Sequence, residues 1–343
     1  MWGLVSFLLT TPRPLTIPPL TSSRGQRLRA VWSDSRATVD YQNLLNGIVP
    51  ERKADGPAVV VGEDALALGL AQMAPGEADR VLRFDEVSAA TLESVGSGEY
   101  PIYVSCDKPE LLEEAIRRVP DDKKGDLVFV NHGHMLEPIL KRYGLLRDTT
   151  TQAVAYYAVN EFGKLEDDRT HIGEDTMGRA KYAAETAVTG KWAGAFADRL
   201  RRNKFHCSEN FYRDFRRKML ERVIYESVYN LVAAVHEGCP LSEVPDYFAD
   251  ECDDMLFEFS RLLRGNLAVA LVSGSEERMA AYAKAQYRSK LDNKGPTISH
   301  SSPYRNRFFY DISKSMTDRD FPDPVPMHTE YFDFGLQNHL FDP

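Results

Sequence analysis

The chain has 343 residues, 43% of them hydrophobic, which is enough for two domains with separate cores. Its formal net charge of −9, from 42 basic and 51 acidic residues, disfavours nucleic-acid binding. The four cysteines are scattered and form no Cys-x-x-Cys pair, and no apolar run approaches the roughly 18 residues of a membrane span.

The first 33 residues differ in composition from the rest. They contain four arginines among many Ser, Thr and Pro, but no Asp, Glu or Lys. Such acid-free, arginine-rich stretches are typical of organelle transit peptides. We therefore expect residues 1–33 to be a transit peptide or a disordered terminus, with the plastid (chloroplast) favoured over the mitochondrion. Residues 34–56 are polar and are expected to form a linker.

From residue 57 short buried strands alternate with helical stretches. The predicted strands are 58–62, 81–84, 100–106, 126–130 and 151–160. The predicted helices are 63–73, 109–118 and 135–143, and residues 164–174 are expected to be a hairpin or loop. Strand–helix alternation at this spacing predicts a parallel sheet with crossover helices. Residues 57–185 are therefore expected to form a Rossmann-like nucleotide-binding domain.

Beyond about residue 190 the apolar spacing becomes that of helices. The longest periodic stretch is 208–238, in which Ser208 suits the N-cap and Gly238 the position just past the end. Further helices are expected at 192–202, 241–248, 251–263 and 274–290. The tail after residue 307 is rich in aromatic residues, which predicts that it packs on the body. Residues 186–343 are expected to form an all-helical domain.

The turn after the first strand matches a dinucleotide-binding turn only in part. Such turns require a strand, then G-x-G-x-x-G/A, then a helix. Gly62 takes the first position, Asp64 the second and Ala67 the third. Alanine is small enough for the third position, but the carboxylate of Asp64 would repel a pyrophosphate and block its approach. The same segment also fits an ordinary strand-to-helix turn.

Two other polar groups are candidates for chemistry. Asn131-His132-Gly133 follows a predicted strand, where parallel sheets bind ligands, although Asn and Gly are also common in simple turns. Arg222, Glu226 and Asn230 recur every four residues and so share one helix face. That spacing fits either a salt-bridged surface or the polar wall of a cleft.

Taken in order, these segments resemble the ketopantoate reductase (2-dehydropantoate 2-reductase) family over about residues 57–335. Asn131-His132-Gly133 resembles the family's Gln-Asn-Gly, and residues 219–234 resemble its helix with Trp-x-Lys-Leu-x-x-Asn-x-x-x-Asn. FFYDI at 308–312 followed by HTEYF at 328–332 resembles its Met-Leu-Gln-Asp-Ile followed by Thr-Glu-Ile-Asp. The resemblance implies a Rossmann-like domain and an all-α domain of the 6-phosphogluconate-dehydrogenase C-terminal type, with the active site between them.

The resemblance also implies catalytic residues, with departures from the family pattern. The family's general-acid lysine corresponds to Arg222, which stays protonated but can polarise a carbonyl or clamp a carboxylate. The two helix asparagines correspond to Glu226 and to the retained Asn230. His132 replaces an asparagine and is suited to donate a proton near neutral pH.

The resemblance further implies binding residues. Asp311 and Glu330 match the family's tail aspartate and glutamate, so they and Asn230 are expected to bind substrate, and Glu330 is counted with the catalytic residues. The cofactor would be NADP(H) or NAD(H). Its expected contacts are Gly62, Gly69 and Asn131.

Two functions fit this mixture of retained and altered residues. One is a ketopantoate-reductase-like NAD(P)-dependent oxidoreductase acting on a small 2-oxoacid or related carbonyl. The other is a pseudoenzyme, a non-catalytic relative that retains the fold for binding or complex assembly. Asp64 favours the second function and the polar helix face the first. The expected partners are a small carbonyl substrate or a protein, with the chain as a homodimer, and no metal ion.

Overall fold

The structure covers most of the chain from residue 51 onward. A computed structural model describes residues 51–74, 79–95, 98–106, 108–147, 149–160, 164–286 and 302–341. The predicted transit peptide (1–33) and most of the predicted linker lie outside the described residues.

The described chain contains both strands and helices. The strands are β1 (Val59–Val61), β2 (Arg80–Leu82), β3 (Ile102–Ser105), β4 (Leu127–Asn131), β5 (Thr151–Val154), β6 (Tyr157–Val159), β7 (Leu165–Asp167), β8 (His171–Glu174), β9 (Ala180–Tyr182), β10 (Thr186–Thr189) and β11 (Cys207–Glu209). The helices are α1 (Ala65–Gln72), α2 (Ala89–Glu93), α3 (Pro109–Arg118), α4 (Glu137–Arg142), α5 (Ala193–Arg202), α6 (Tyr212–Val235), α7 (Val244–Tyr247), α8 (Ala249–Asn266), α9 (Ser275–Ala285), α10 (Asn306–Thr317) and α11 (Pro326–Gln337).

Seven strands form one sheet in the order β11-β10-β5-β4-β3-β1-β2. Pairing is parallel from β2 to β5, β10 runs antiparallel to β5, and β11 runs parallel to β10. The central strands are buried on both faces, as their unbroken apolar sequences predict. The predicted parallel sheet with crossover helices is therefore confirmed. The β6–β7 and β8–β9 hairpins lie outside this sheet.

The sheet extends further along the chain than the sequence pattern predicts. β10 and β11 reach Glu209, whereas the helical domain is predicted to begin at residue 186. Each of these strands has only three or four residues, and they flank helix α5. Their strand conformation depends on pairing with β5 and with each other, which the sequence pattern does not show.

Helix α6 is the centre of the helical region. It packs against α8, α9 and α11 and also touches β10 and β5 of the sheet. Ser208 lies in β11 and does not cap it, because the helix begins at Tyr212. Gly238 adopts φ +75° and its N–H donates to the carbonyl of Ala233 at 2.9 Å, as expected of a helix-ending glycine.

The aromatic tail packs on the body as predicted. It forms α10 and α11, whose Phe309 and Phe332 are buried. None of the helices in the described part of the chain has the length and apolarity that crossing a membrane requires.

Candidate functional site

The loop after β4 is shaped to receive helix α6. The Asn131 side-chain oxygen accepts from the backbone N–H groups of Gly133 (3.2 Å) and His134 (3.4 Å), which holds the turn. Gly133 has φ +85°, and a Cβ at this position would lie 2.8 Å from Cγ of Glu226. Only glycine permits both this backbone conformation and this approach of α6.

Four of the predicted site residues come together at this contact. Nη2 of Arg222 lies 2.6 Å from Nε2 of His132 and 2.5 Å from Oε1 of Glu226. Nδ2 of Asn230 donates to Oε2 of Glu226 at 2.5 Å. The polar face of α6 is thus the wall of an interdomain contact, and we call these residues, with Arg305 described below, the interdomain cluster.

The hydrogen bonds of His132 define its protonation state. Its Nδ1 lies 2.8 Å from the carbonyl oxygen of Ala155, which can only accept, so Nδ1 carries the proton. Nε2 therefore holds a lone pair and accepts from Arg222. Burial and the charge of Arg222 lower the pKa of His132 well below its usual value. A neutral imidazole with Nε2 unprotonated does not fit the predicted role of proton donor.

The Arg222 guanidinium is enclosed by aromatic rings. Its Cζ lies 4.7 Å, 5.2 Å and 5.0 Å from the ring centroids of Tyr156, Tyr225 and Tyr282. Burial alone would lower the pKa of Arg222, but the carboxylate of Glu226 and the tyrosines hold that pKa well above the usual range. Arg222 is only 2% exposed, and its Nε and Nη1 have no hydrogen-bond partner among the described residues.

Arg305 joins the cluster from the tail and was missed by sequence reasoning. Its Nε donates to Nε2 of His134 at 2.9 Å, and its Nη1 lies 3.8 Å from Oε2 of Glu226. The N–H of Met135 donates to the carbonyl of Tyr304 at 2.7 Å, which ties this tail segment to the β4 loop. The only sequence signal is the position of Arg305 three residues before the FFYDI segment.

The charges of the interdomain cluster do not cancel. Two arginines contribute +2, Glu226 contributes −1, and the neutral His132 adds nothing, so the sum is +1. Asn230 also has an oxygen, Oδ1, that is buried without a partner among the described residues. Buried polar atoms are normally hydrogen-bonded, so the free Nε and Nη1 donors of Arg222 and the surplus charge point to an anionic group as the missing partner.

Two predicted substrate-binding residues lie outside the cluster. Asp311 on α10 and Glu330 on α11 are exposed, and Asp311 is 3.7 Å from Arg307. Each helix turns a different residue inward, Phe309 on α10 and Thr329 on α11. The expected contact of Glu330 with the cleft is therefore not formed, because its side chain faces solvent.

The turn after β1 lies where the strand order reverses between β1 and β3, the place where such sheets bind ligands. Gly62 has φ +139°, and a Cβ there would lie 2.9 Å from Cβ of Ala67 and 3.1 Å from Cβ of Ser105. Asp64 caps α1 by accepting from the N–H of Ala67 at 2.9 Å. Its second oxygen accepts from the Ser105 hydroxyl at 2.7 Å.

Gly69 has a packing role in the structure. It is buried in α1, and a Cβ there would lie 2.2 Å from Cδ1 of Leu165 in the β6–β7 hairpin. Its small size lets the hairpin pack on the helix. Gly69 lies more than one helical turn from the loop that contains Gly62. Within the described ranges no group of three or more His, Cys, Asp or Glu side chains is placed to hold a metal ion.

Comparison with known proteins finds similarity in structure only. No family model matches the sequence, and no curated protein matches it. The structure of 2-dehydropantoate 2-reductase from Methylococcus capsulatus is 12% identical with a TM-score of 0.52, over 84% of this chain and 98% of that chain. D-mandelate dehydrogenase with NADH and anilino(oxo)acetate is 11% identical with a TM-score of 0.52, over 84% of this chain and 100% of that chain.

The chain therefore has the two-domain fold of the ketopantoate reductases and related dehydrogenases, which confirms the predicted Rossmann-like domain followed by an all-α domain. One of these structural neighbours is a reductase, and the other is a dehydrogenase whose structure contains NADH. At this level of identity the likeness establishes the fold, and function has to be argued from the site.

The nicotinamide dinucleotide implied by this fold would fit the Gly62 turn at its first position but not at its second. Gly62 meets the need for a residue without a side chain at the first position. At the second position the carboxylate of Asp64 already occupies the N-terminus of α1, where a pyrophosphate would accept hydrogen bonds. The turn as it stands does not fit a dinucleotide.

Proposed function

We propose that this protein binds a small carboxylate of the 2-oxoacid class in the interdomain cluster, without hydride transfer. The observation that carries this proposal is that Arg305 from the tail meets Arg222, Glu226 and Asn230 of helix α6 with one positive charge left over. A monocarboxylate balances that charge.

Each residue has a distinct part in this binding. The free nitrogens of Arg222 would donate to the carboxylate or the oxo group, and Arg305 would add its charge from the tail side. Asn230 Oδ1 offers an acceptor to a hydroxyl. Because Arg222 is 2% exposed, a ligand reaches it only after one of the contacts that enclose it opens.

The same residues do not provide a proton for reduction of a carbonyl. Arg222 keeps its proton at any ordinary pH, and Nε2 of His132 is an acceptor. Binding without reduction is therefore the function that this geometry supports best.

The test compares an anion with its neutral isostere. Oxamate carries the carboxylate next to a carbonyl, whereas oxamide has the same shape without the charge. We expect oxamate, and not oxamide, to raise the melting temperature of the full chain, since a ligand of the native state stabilises it by mass action. The absence of an oxamate shift at millimolar concentration would contradict the proposal.

A pair of arginine variants locates the binding site. Arg305→Met should remove the oxamate shift, because Arg305 supplies part of the surplus charge. The matched control is Arg307→Met, which removes an exposed arginine two residues away that faces Asp311. Equal oxamate binding by both variants would place the ligand elsewhere.

A second candidate is an NAD(P)-dependent reductase of the same 2-oxoacid class. It is favoured by Gly62, which meets the requirement of the first turn position, and by Arg83, which directly follows β2, where an arginine can accommodate the 2′-phosphate of NADP. Arg83 is now paired with Glu63 at 3.3 Å and Asp85 at 3.1 Å. NADPH oxidation that depends on a 2-oxoacid and is lost in Arg222→Met would replace the first proposal with this one.

A further inference from the structure

We infer that Asp64 is an internal substitute for the dinucleotide pyrophosphate and that this one side chain closes the turn to nicotinamide cofactors. The inference goes beyond carboxylate binding, because it concerns a different loop and a different ligand. It rests on the contacts of Asp64 and on the surrounding residues, which otherwise retain the geometry of a dinucleotide-binding turn.

The first step concerns hydrogen bonding. In a dinucleotide-binding turn, a phosphate oxygen accepts from backbone N–H groups at the start of the helix. Oδ1 of Asp64 makes such a contact, with the N–H of Ala67 at 2.9 Å. A carboxylate and a phosphate are both oxygen anions, so Asp64 already places a negative charge against the partial positive charge of the helix N-terminus.

The second step concerns the opposite wall of the crevice. Oδ2 of Asp64 accepts from the hydroxyl of Ser105 at 2.7 Å, and Ser105 is fully buried at the end of β3. This bond spans the two loops between which the strand order reverses. Asp64 therefore bridges the crevice as well as capping the helix, and a pyrophosphate would have to displace both bonds against a like charge.

The third step concerns the first and third positions of the G-x-G-x-x-G/A pattern, where the residues are small enough for a dinucleotide-binding turn. Gly62 has the backbone conformation and the lack of space for a Cβ that the first position demands. Ala67 is a small residue at the third position, and helix α1 packs closely on β1 and β3. Among the three positions of the pattern, Asp64 is thus the one that does not fit a dinucleotide.

The experiment is a gain of binding. NADPH and NADH are titrated into the full-length chain and into Asp64→Gly, with nicotinamide fluorescence and melting temperature as readouts. We expect no binding to the unaltered chain at millimolar cofactor. For Asp64→Gly we expect an affinity gain of at least about tenfold, because both the like charge and the obstructing side chain are removed.

Two further variants separate the causes. Asp64→Ser keeps a helix-capping oxygen, so it protects against a loss of folding that glycine could cause, and it should also gain cofactor binding. Ser105→Ala removes the bridge but leaves the carboxylate, so it should bind no cofactor.

Several outcomes would overturn the inference. Cofactor binding by the unaltered chain would do so, and so would a gain in Ser105→Ala. The inference is also overturned if folded Asp64→Gly and Asp64→Ser bind cofactor no better than the unaltered chain. Oxamate binding is measured on the same samples, so failure here remains distinguishable from failure of the carboxylate proposal.

Discussion

The interdomain cluster and the β1–α1 turn differ in how the chain balances its own charges. In the cluster, two arginines face one carboxylate, so a positive charge and several polar atoms remain without partners. At the turn, the two oxygens of the Asp64 carboxylate accept from the N–H of Ala67 and from the Ser105 hydroxyl, so the chain itself places a negative charge at the helix N-terminus. The charges of the surrounding side chains therefore decide whether a region of this protein favours or disfavours binding of an anion.

The largest loss of stability is expected when the carboxylate of the interdomain cluster is removed. Glu226→Ala leaves Arg222 buried without its counter-charge, so we expect a loss of about 3–5 kcal/mol in the free energy of unfolding. Urea unfolding measures this loss. The matched control is Glu330→Ala, an exposed glutamate whose removal should change stability by less than about 0.5 kcal/mol. Similar losses in both variants would show that the cluster is not a buried ion pair.

Replacing a glycine by alanine should destabilise the protein by a similar amount in the two regions. Gly133→Ala and Gly62→Ala each force a side chain into a positive φ and against an atom less than 3 Å away. We expect each to lose about 1–3 kcal/mol, measured by urea unfolding. Gly125→Ala is the control, since a Cβ there meets nothing within 4 Å. A negligible loss at Gly133 would mean that α6 can move away from the β4 loop.

Acidification should destabilise the folded protein through the histidines at the interdomain cluster. His132 and His134 have pKa values well below the unfolded value of about 6.5, because they are buried near Arg222 and Arg305. Below pH 6.5 the unfolded chain binds more protons, so stability falls as pH drops, by up to about 1.4 kcal/mol per pH unit for each histidine.

The unaltered chain is the reference for this pH effect. Unfolding free energies measured between pH 7 and pH 5 should show a shallower slope in His132→Asn than in the unaltered chain. An unchanged slope in His132→Asn would show that His132 is not held neutral in the folded state.

The smallest expected effect is the loss of the helix cap. Asp64→Ala removes the acceptor for the N–H of Ala67, so we expect a loss of about 1 kcal/mol, measured by thermal unfolding. Asp64→Ser should recover most of it. A loss as large as that of Glu226→Ala would mean that Asp64 has a structural role beyond capping and bridging.

Much of the architecture could be predicted from local pattern. Helix α3 was predicted at its observed bounds, and β4 and α6 within a few residues, because unbroken apolar runs and helical periodicity are properties of neighbouring residues. The predicted strand 151–160 divides into β5 and β6, since the chain leaves the sheet after Val154 and enters a hairpin. β10 and β11 were not predicted as strands, because their pairing partners decide their conformation.

The candidate site was predictable where one element carries several of its residues. Arg222, Glu226 and Asn230 share a helix face through their spacing, and His132 follows a strand whose end could be predicted. Arg305 could not be found this way, since it belongs to an irregular segment whose position depends on a contact with the β4 loop.

The sequence by itself determined the alternation of strands β1 to β5 with helices, the polar face of α6 and the chemical conflict at Asp64, because each follows from residue type and short-range spacing. Only the tertiary structure decided the contact between His132 and Arg222, which are 90 positions apart, the unprotonated Nε2 of His132, and the solvent-facing position of Glu330. It also decided that Asp64 bonds to Ser105, 41 positions away. Contacts between distant segments depend on how the sheet and helices pack together, and local sequence patterns do not encode that packing.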